Sequence, residues 1–311
     1  MPDLYPRDLH GYGEFPPDPK WPGGARVAVS FVLNWEEGGE GNVLHGDPAS
    51  EHALQDVIGA VPWPGMRHPN VESMFEYGSR AGVWRLLRLF EGAGIPLTVF
   101  AVGMAVERSP RIVKRMAEAG HEICSHGYRW IEYKDVPEAV EREHVRLAVQ
   151  AIEAATGARP VGWYTGKCSP NTRRLVVEEG GFLYDSDSYA DDLPYWTTET
   201  GSPHLVVPYT LDANDMRFVS PANFASGEEF FGYLRDSFDV LYAEGATSPK
   251  MMSVGLHTRV VGRPGRFAAL ARFVEYAQSH EGVWFATRAD IARHWVKQHP
   301  WPSLAAGTGD D

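Results

Sequence analysis

The run Arg26-Val-Ala-Val-Ser-Phe-Val-Leu33 is short, apolar and rich in β-branched residues. A run of this kind is typical of a strand buried on both faces in a parallel sheet. It is followed directly by Asn34-Trp35-Glu36-Glu37-Gly38-Gly39, which combines carboxylates, an aromatic ring and two glycines. The sequence therefore predicts a buried strand that presents polar side chains at its carboxyl end.

The alternation of apolar runs with amphipathic helical patterns continues along the rest of the chain. Further strands are predicted at residues 97–102, 121–125, 160–164, 182–188, 204–212, 250–256 and 283–285. Residues 38–82 show no periodicity and are predicted to form a long loop, after which a helix begins at Val83. Strands that alternate with helices predict a mostly parallel α/β sheet, either open or closed into a barrel.

The chain divides into a short arm and one large body. Residues 1–24 contain six prolines and four glycines without periodicity and are predicted to form an irregular N-terminal arm. No break in composition marks a linker between residues 25 and 311, so this part is predicted to be a single globular domain. A chain of 311 residues is long enough to bury a large core.

Charge and composition exclude several classes of partner. The formal net charge is -12, and nucleic acids and anionic membranes bind clustered basic residues, so neither is expected as a partner. No basic and apolar leader and no run of membrane-spanning length is present, which predicts a cytoplasmic protein. Cys124 and Cys168 form no C-x-x-C motif, so no disulfide framework is expected.

Polar side chains follow several of the predicted strands. They are Glu36, His126, Tyr164, Asp187 and His257. In a β/α barrel the carboxyl ends of the strands share one face, so these five distant residues would meet in one pocket.

The segment Cys124-Ser-His126-Gly-Tyr-Arg-Trp130 contains half of a metal motif. Two histidines four residues apart commonly bind one cation, but the second position here is Trp130. The indole nitrogen is only a donor and cannot bind a metal. Either other residues hold a cation, or the chemistry proceeds without one.

In order, spacing and content these motifs resemble the polysaccharide deacetylase superfamily over nearly the whole chain. The resemblance implies a distorted (β/α) barrel. The positions that match the superfamily's motifs are Asn34, Glu36, His126, Trp130, the turn Trp163-Tyr-Thr-Gly166, and His257.

Three of these positions depart from the superfamily pattern. Its first aspartate is Asn34 here, its metal-binding aspartate is Glu36, and its second metal-binding histidine is Trp130, which leaves His126 as the unaltered ligand. Catalytic zinc usually has three protein ligands. We therefore expect neither a metal nor another cofactor.

The closer resemblance is to the allantoinase branch of this superfamily, which opens the hydantoin ring of allantoin without a metal. It is carried by Tyr5-Pro-Arg-Asp-Leu9, Phe31-Val-Leu-Asn-Trp-Glu-Glu-Gly-Gly39, Cys124-Ser-His-Gly-Tyr-Arg-Trp130 and Asp191-Asp-Leu-Pro-Tyr-Trp196. The resemblance implies a small cyclic amide substrate and a homotetramer. The branch also includes cyclic imide hydrolases, from which these motifs do not separate it.

Hydrolysis of a cyclic amide without a metal requires a side chain that takes a proton from water. Glu36 is predicted to be this base, because it stands where the superfamily holds its acidic residues. His126 and His257 are predicted to orient the water and to protonate the leaving nitrogen, in an order that the sequence leaves open.

The predicted substrate-binding residues are Asn34, Trp35, Trp130, Tyr164 and Asp187. The two indoles would form a flat wall for a heterocycle, and the phenol of Tyr164 would donate to a carbonyl oxygen. Asp187 is a weaker candidate, as is Asp215, because aspartates often cap turns at such positions.

Two further functions are kept as alternatives. One is a metal-dependent sugar or peptidoglycan N-deacetylase that recruits a cation through Glu36, His126 and a further ligand. The other is a carbohydrate-binding or assembly module without activity. This second alternative is disfavoured, because it gives Glu36, His126 and His257 no reason to converge.

Overall fold

The computed structural model describes residues 7–221 and 224–302. Strand β1, Val27–Trp35, runs through the middle of the fold, and all nine of its residues are buried. Its odd-numbered residues belong to one apolar core with Phe90 and Phe273, whereas Ala28 and Val32 belong to a second core, with Phe100 and Tyr209, on the inner face of the curled sheet. Because side chains alternate along a strand, Asn34 also points to the inner side.

Eight further strands complete the sheet. They are β2 Leu97–Ala101, β3 Glu122–Ser125, β4 Gly162–Trp163, β5 Tyr184–Asp185, β6 Tyr195–Thr197, β7 His204–Val206, β8 Lys250–His257 and β9 Val283–Phe285. Their order is β6-β7-β5-β4-β3-β2-β1-β8, and β9 pairs with the start of β1. Every pairing is parallel except β6 with β7.

The sheet is curled so that its two sides approach each other. The amide of Gly255 in β8 donates to the carbonyl of Ala213 at 2.9 Å, and that of Met251 donates to Asp192 at 3.0 Å. The buried guanidinium of Arg288 donates to Ser186 Oγ at 2.9 Å and to Ser253 Oγ in β8 at 2.8 Å. These bonds hold a distorted α/β barrel, which confirms the predicted fold class.

Nine helices in the described part of the chain surround the sheet. They are α1 Pro69–Tyr77, α2 Val83–Ala93, α3 Gly103–Arg108, α4 Pro110–Glu118, α5 Glu138–Thr156, α6 Thr172–Glu179, α7 Gly227–Glu244, α8 Pro264–Gln278 and α9 Arg288–Gln298. Their apolar faces supply Phe90, Phe230, Phe238 and Phe273 to the outer core.

Several element boundaries differ from the prediction. The second part of the predicted loop is helix α1, which continues through a π-helical turn, Gly78–Gly82, into α2. The search for helical periodicity missed two signals of this helix. They are Pro69 at its first position and the buried pair Val71 and Phe75. The strands observed within 182–188 and 204–212 are shorter than predicted, because the residues after 185 and 206 leave the sheet. Strand β6 and helix α3 were not predicted from the sequence.

The described part of the predicted arm, residues 7–24, is irregular apart from a short 3-10 turn at Pro22–Gly24. It packs on the barrel of its own chain: the ring of Trp21 lies 5.6 Å from that of Trp284, and its indole nitrogen donates to Lys250 O at 2.9 Å. Residues 1–6, which include the start of one family-like segment, and residues 303–311 of the predicted domain lie outside the described residues. No helix in the described ranges combines the length and apolar character needed to cross a bilayer.

Glycines let the α1–α2 connection pack tightly against the loop that follows β8. A Cβ atom on Gly82 would overlap the carbonyl oxygen of Thr258, and one on Gly78 would overlap the carboxylate of Glu37. The backbone of Gly82 is helical, at φ -61° and ψ -50°, so only the close contact excludes a larger residue.

We predict that Gly82→Ala destabilises the fold by about 2 kcal/mol, because overpacking outweighs the higher helix propensity of alanine. Gly92 in α2 is the matched control, since a Cβ there would meet nothing within 4 Å. Gly92→Ala should therefore leave the stability unchanged or raise it by up to about 1 kcal/mol. Urea unfolding measures both; equal midpoints for the two variants would contradict the proposed close contact.

Candidate active site

Three buried side chains from three strands meet at one point. Glu36 directly follows β1, His126 directly follows β3, and His257 is the last residue of β8. Oε1 of Glu36 lies 3.3 Å from Nε2 of His126 and 3.6 Å from Nε2 of His257. Their exposed fractions are 1%, 3% and 4%, respectively. The structure thus brings together the three residues that were predicted from the sequence to be catalytic, because the carboxyl ends of parallel strands lie at one edge of the sheet.

The cluster contains a fourth member, Arg259, that the sequence analysis missed. Its Nη2 lies 2.6 Å from Oε2 of Glu36, and its Nε donates to the carbonyl of Leu54 at 3.0 Å. Its Nη1 lies 3.6 Å from Oε1 of Glu37, and the residue is only 1% exposed. The available signal was its position two residues after His257, the predicted catalytic histidine that ends β8.

The charges around Glu36 keep it ionised. Burial by itself raises the pKa of the Glu36 carboxyl, but the positive charges of Arg259 and His257, with hydrogen bonds from His126 and His257, hold it well below its ordinary range. Glu36 is therefore a carboxylate at neutral pH.

Asp215 fixes the orientation of His257. Its Oδ1 lies 2.6 Å from Nδ1 of His257, and its Oδ2 accepts the backbone N–H groups of His257 at 2.7 Å and Val261 at 3.0 Å. Since Nδ1 donates to Asp215, Nε2 is directed towards Glu36. Burial lowers the pKa of His257, but the carboxylates of Asp215 and Glu36 outweigh this effect and raise it to about 9.

Glu37 supports the cluster from the side. Its Oε1 accepts a hydrogen bond from the hydroxyl of Thr258, and its Oε2 accepts the backbone N–H of Glu36 at 3.1 Å. Burial raises the pKa of the Glu37 carboxyl, and the charge of Arg259 opposes this shift. Glu37 therefore joins the loop after β1 to the loop after β8.

Asn34 lies on the inner side of the barrel, as the alternation along β1 requires. Its Nδ2 donates to the hydroxyl of Tyr209 at 3.1 Å and to Leu256 O at 3.1 Å. It is buried beside the strand that carries His257, with which it is in register across the β1–β8 pair. Asn34 thus helps to set the floor of the site.

Tyr164 and Asp187 belong to the wall next to His126. The ring of Tyr164 lies 5.0 Å from that of His126, its carbonyl lies 3.3 Å from His126 Nδ1, and its hydroxyl pairs with that of Tyr189 at 2.9 Å. Asp187 accepts the backbone N–H groups of Thr165 and Gly166 at 2.9 and 2.7 Å. Asp187 therefore stabilises the turn that carries Tyr164, and its carboxyl oxygens accept hydrogen bonds from the backbone of that turn.

The two predicted indoles are both buried in the same apolar core, and they differ in their contacts with the cluster. Trp130 lies beside it: its ring is 5.5 Å from the guanidinium of Arg259 and 3.7 Å from Nζ of Lys167. Trp35 is 0% exposed and belongs to the core between the sheet and the helices, on the opposite side of β1 from Asn34. The structure therefore gives Trp35 a packing role, because the alternation along β1 turns it away from the inner side.

The residues at this point do not fit a divalent cation. Trp130, whose indole cannot bind a metal, stands four residues after His126, and one oxygen of Glu36 is already paired with the guanidinium of Arg259 at 2.6 Å. A cation at Glu36 would therefore face a fixed positive charge. Within residues 7–221 and 224–302, no three His, Cys, Asp or Glu side chains are arranged to hold a metal ion.

The raised pKa of His257 gives a testable pH dependence. Because its pKa is about 9 in the folded chain and 6.5 ordinarily, the protonated ring stabilises the fold fully below pH 6.5, and this contribution is lost as the pH rises to about 9. We predict that the unfolding free energy falls over this window by on the order of 3 kcal/mol.

Asp215→Asn should lower the pKa of His257 and flatten this fall, because the variant removes the charge that raises it most. Imidazole NMR titration and urea unfolding at several pH values measure the two effects. An unchanged His257 titration in Asp215→Asn would show that the assigned cause is wrong.

A family model for polysaccharide deacetylase matches residues 65–180 of this chain. A putative polysaccharide deacetylase of Schizosaccharomyces pombe is 45% identical over 95% of this chain and 98% of its own length.

Two solved structures are similar over almost the whole fold. The crystal structure of Puue allantoinase has 62% identity and a TM-score of 0.94, covering 96% of this chain and 99% of that one. A probable polysaccharide deacetylase from Pseudomonas aeruginosa PAO1 has 63% identity and a TM-score of 0.93, covering 96% and 100%. Together with the barrel and the strand-end cluster, these similarities show that the chain belongs to the polysaccharide deacetylase family.

Proposed function

We propose that this protein hydrolyses the hydantoin ring of allantoin to give allantoate, without a metal. The observation that carries the proposal is the 62% identity to an allantoinase over 96% of the chain. The cluster around Glu36 supports it, because the guanidinium of Arg259 is paired with Oε2 of Glu36. A metal-dependent site would need that carboxylate oxygen to be free.

The reaction proceeds through three changes at the ring carbonyl group. A water oxygen bonds to the ring carbonyl carbon, the carbonyl oxygen gains negative charge, and the C–N bond then breaks. One proton of the water leaves as the new bond forms, and the departing nitrogen must gain a proton. The site therefore needs a base and an acid within reach of the same carbonyl group.

Glu36 is the proposed base. Paired with Arg259 it is a weak base, so it takes the proton of water only as the oxygen bonds to carbon and that proton becomes acidic. Its Oε1 is the oxygen that faces both histidines, which places it at the centre of the cluster.

His257 is the proposed acid. With a pKa raised to about 9, its ring carries a proton on both nitrogens at neutral pH, and Nδ1 is held by Asp215. The proton on Nε2 can therefore pass to the leaving nitrogen. His126, whose Nε2 lies 3.3 Å from the same carboxylate oxygen, is proposed to orient the attacking water.

The enclosure of the cluster favours a small substrate over a polymer. Glu36, His126 and His257 are each at most 4% exposed, and the carbonyl of Leu54 accepts a hydrogen bond from Arg259. Leu54 lies in segment 41–68, which is largely irregular and contains the short 3-10 turn Val43–His45. A closed site of this kind suits a small ring better than a polysaccharide chain, which needs an open groove. Entry of the substrate then requires movement of residues around the cluster, and segment 41–68 is the proposed mobile part because Leu54 contacts Arg259.

The function is tested by measuring ring opening of allantoin, hydantoin and succinimide by chelator-treated protein of measured metal content. We expect chelator-resistant turnover with allantoin preferred. Preference for succinimide would instead identify a cyclic imide hydrolase. Release of acetate from chitin or peptidoglycan fragments only after zinc addition would identify a deacetylase, the function named for the fission yeast and Pseudomonas relatives.

Glu36→Gln should lower kcat for allantoin by about 10²- to 10⁴-fold, because it removes the base and keeps the shape of the side chain. Glu76→Gln is the matched control: Glu76 pairs with Arg80 on the surface of α1 at 3.6 Å and should leave the rate unchanged. Circular dichroism verifies folding of both variants. Wild-type activity in folded Glu36→Gln would exclude Glu36 as the base.

A further inference from the structure

Arg259 connects three parts of the chain through one buried side chain. Nη2 pairs with Glu36, Nε donates to the carbonyl of Leu54, and Nη1 lies near Glu37. The guanidinium also lies 4.2 Å from the centre of the Phe75 ring. A charge this deeply buried is retained only where its partners are well placed.

We propose that Arg259 is a positioning residue, which holds the carboxylate of Glu36 in one orientation and ties it to segment 41–68. The inference rests on the proposed role of Glu36 as the base. It assigns Arg259 no direct contact with the substrate.

The geometry gives the two carboxylate oxygens of Glu36 different tasks. Oε2 is fixed by Arg259 at 2.6 Å, which leaves Oε1 between the Nε2 atoms of His126 and His257. A planar guanidinium fixes the direction of each N–H group, so it sets the rotation of the carboxylate more firmly than an ammonium group would.

The second contact of Arg259 links this orientation to segment 41–68. Leu54, whose carbonyl accepts the Nε hydrogen bond, has a positive φ of 47°. A leucine adopts such a backbone conformation only where its surroundings compensate for the strain. Two residues later, Asp56 pairs with Arg266 at the start of α8, so this part of the segment is held at two points.

The ionisable groups that face Glu36 define what the loss of Arg259 would do. They are His126 after β3, His257 at the end of β8, Arg259 itself, and the neighbouring carboxyl of Glu37. Arg259 is the member whose positive charge does not titrate in the working pH range. Its removal should therefore raise the pKa of Glu36 and leave the carboxylate free to rotate.

The first test compares the pH dependence of kcat/KM for allantoin in the wild type, Arg259→Met and Arg259→Lys. We expect the acid limb of Arg259→Met to move up by about 1 to 3 pH units. We also expect kcat to fall by roughly 10²-fold, with a smaller change in KM, because the base loses its orientation. Arg259→Lys should restore the position of the acid limb and only part of kcat.

Arg266→Met is the matched control, because it releases the same segment at Asp56 and does not touch Glu36. Its acid limb should stay at the wild-type pH. An equal shift in Arg266→Met would show that anchoring of the segment, rather than the guanidinium at Glu36, is responsible. A wild-type acid limb in Arg259→Met would overturn the proposal.

A second measurement needs no substrate and so separates this inference from the proposed function. Carbon-13 NMR of labelled glutamate carboxyls, with Glu36→Gln for assignment, should show Glu36 titrating at higher pH in Arg259→Met than in the wild type. If the wild type opens no cyclic amide, the proposed function fails, and this titration still decides whether Arg259 controls Glu36. An unshifted Glu36 resonance would overturn the inference.

The double variant Glu36→Gln/Arg259→Met serves as a control for the effect of Arg259→Met on folding. Removing one partner of a buried pair leaves an unpaired charge, whereas removing both does not. We therefore expect the double variant to unfold at a higher urea concentration than Arg259→Met alone. Additive effects of the two substitutions would contradict a direct pairing.

Discussion

The structure depends on a buried ion pair between the carboxylate of Glu36 and the guanidinium of Arg259. Removing such charges from water costs several kcal/mol per ion, and only close, well-directed partners offset this cost. The pair joins the end of β1 to the segment after β8, and two imidazoles complete its surroundings. The ends of three strands must therefore stay in fixed register, because a small displacement would leave a charge without its partner.

Packing provides this fixed register. The segment from His257 to Val261 is held by the carboxylate of Asp215, which accepts the backbone N–H at each end. The carbonyl of Thr258 fits against Gly82 and Gly262, where any side chain would overlap it. The helix connection that contains Gly78 and Gly82 thus supports the charged cluster, although these glycines contribute no functional group. Stability and proposed activity share the same contacts, so substitutions there should affect both.

In the proposed mechanism the positive charge beside Glu36 at the centre of the barrel is the guanidinium of Arg259 and not a metal ion. A guanidinium can hold a carboxylate and maintain its charge, but it cannot bind and activate a water molecule as a metal does. The acid and base tasks then fall to Glu36 and His257, whose pKa values are displaced in opposite directions by the same cluster. Oε1 of Glu36 and Nε2 of His257 lie 3.6 Å apart, and the charge of each residue shifts the pKa of the other.

Periodicity in the sequence determined the alternation of strands and helices, and residue type placed Glu36, His126 and His257 at the ends of three different strands. Closure of the sheet into a barrel was implied by the family resemblance, and the convergence of the three residues was expected from it, because strand ends in a parallel barrel share one face. The tertiary structure alone decided that Trp35 packs outward, that Asp187 holds a turn, and that Arg259 and Asp215 complete the cluster. These roles depend on which distant groups come within hydrogen-bonding distance, and no local pattern in the chain encodes such distances.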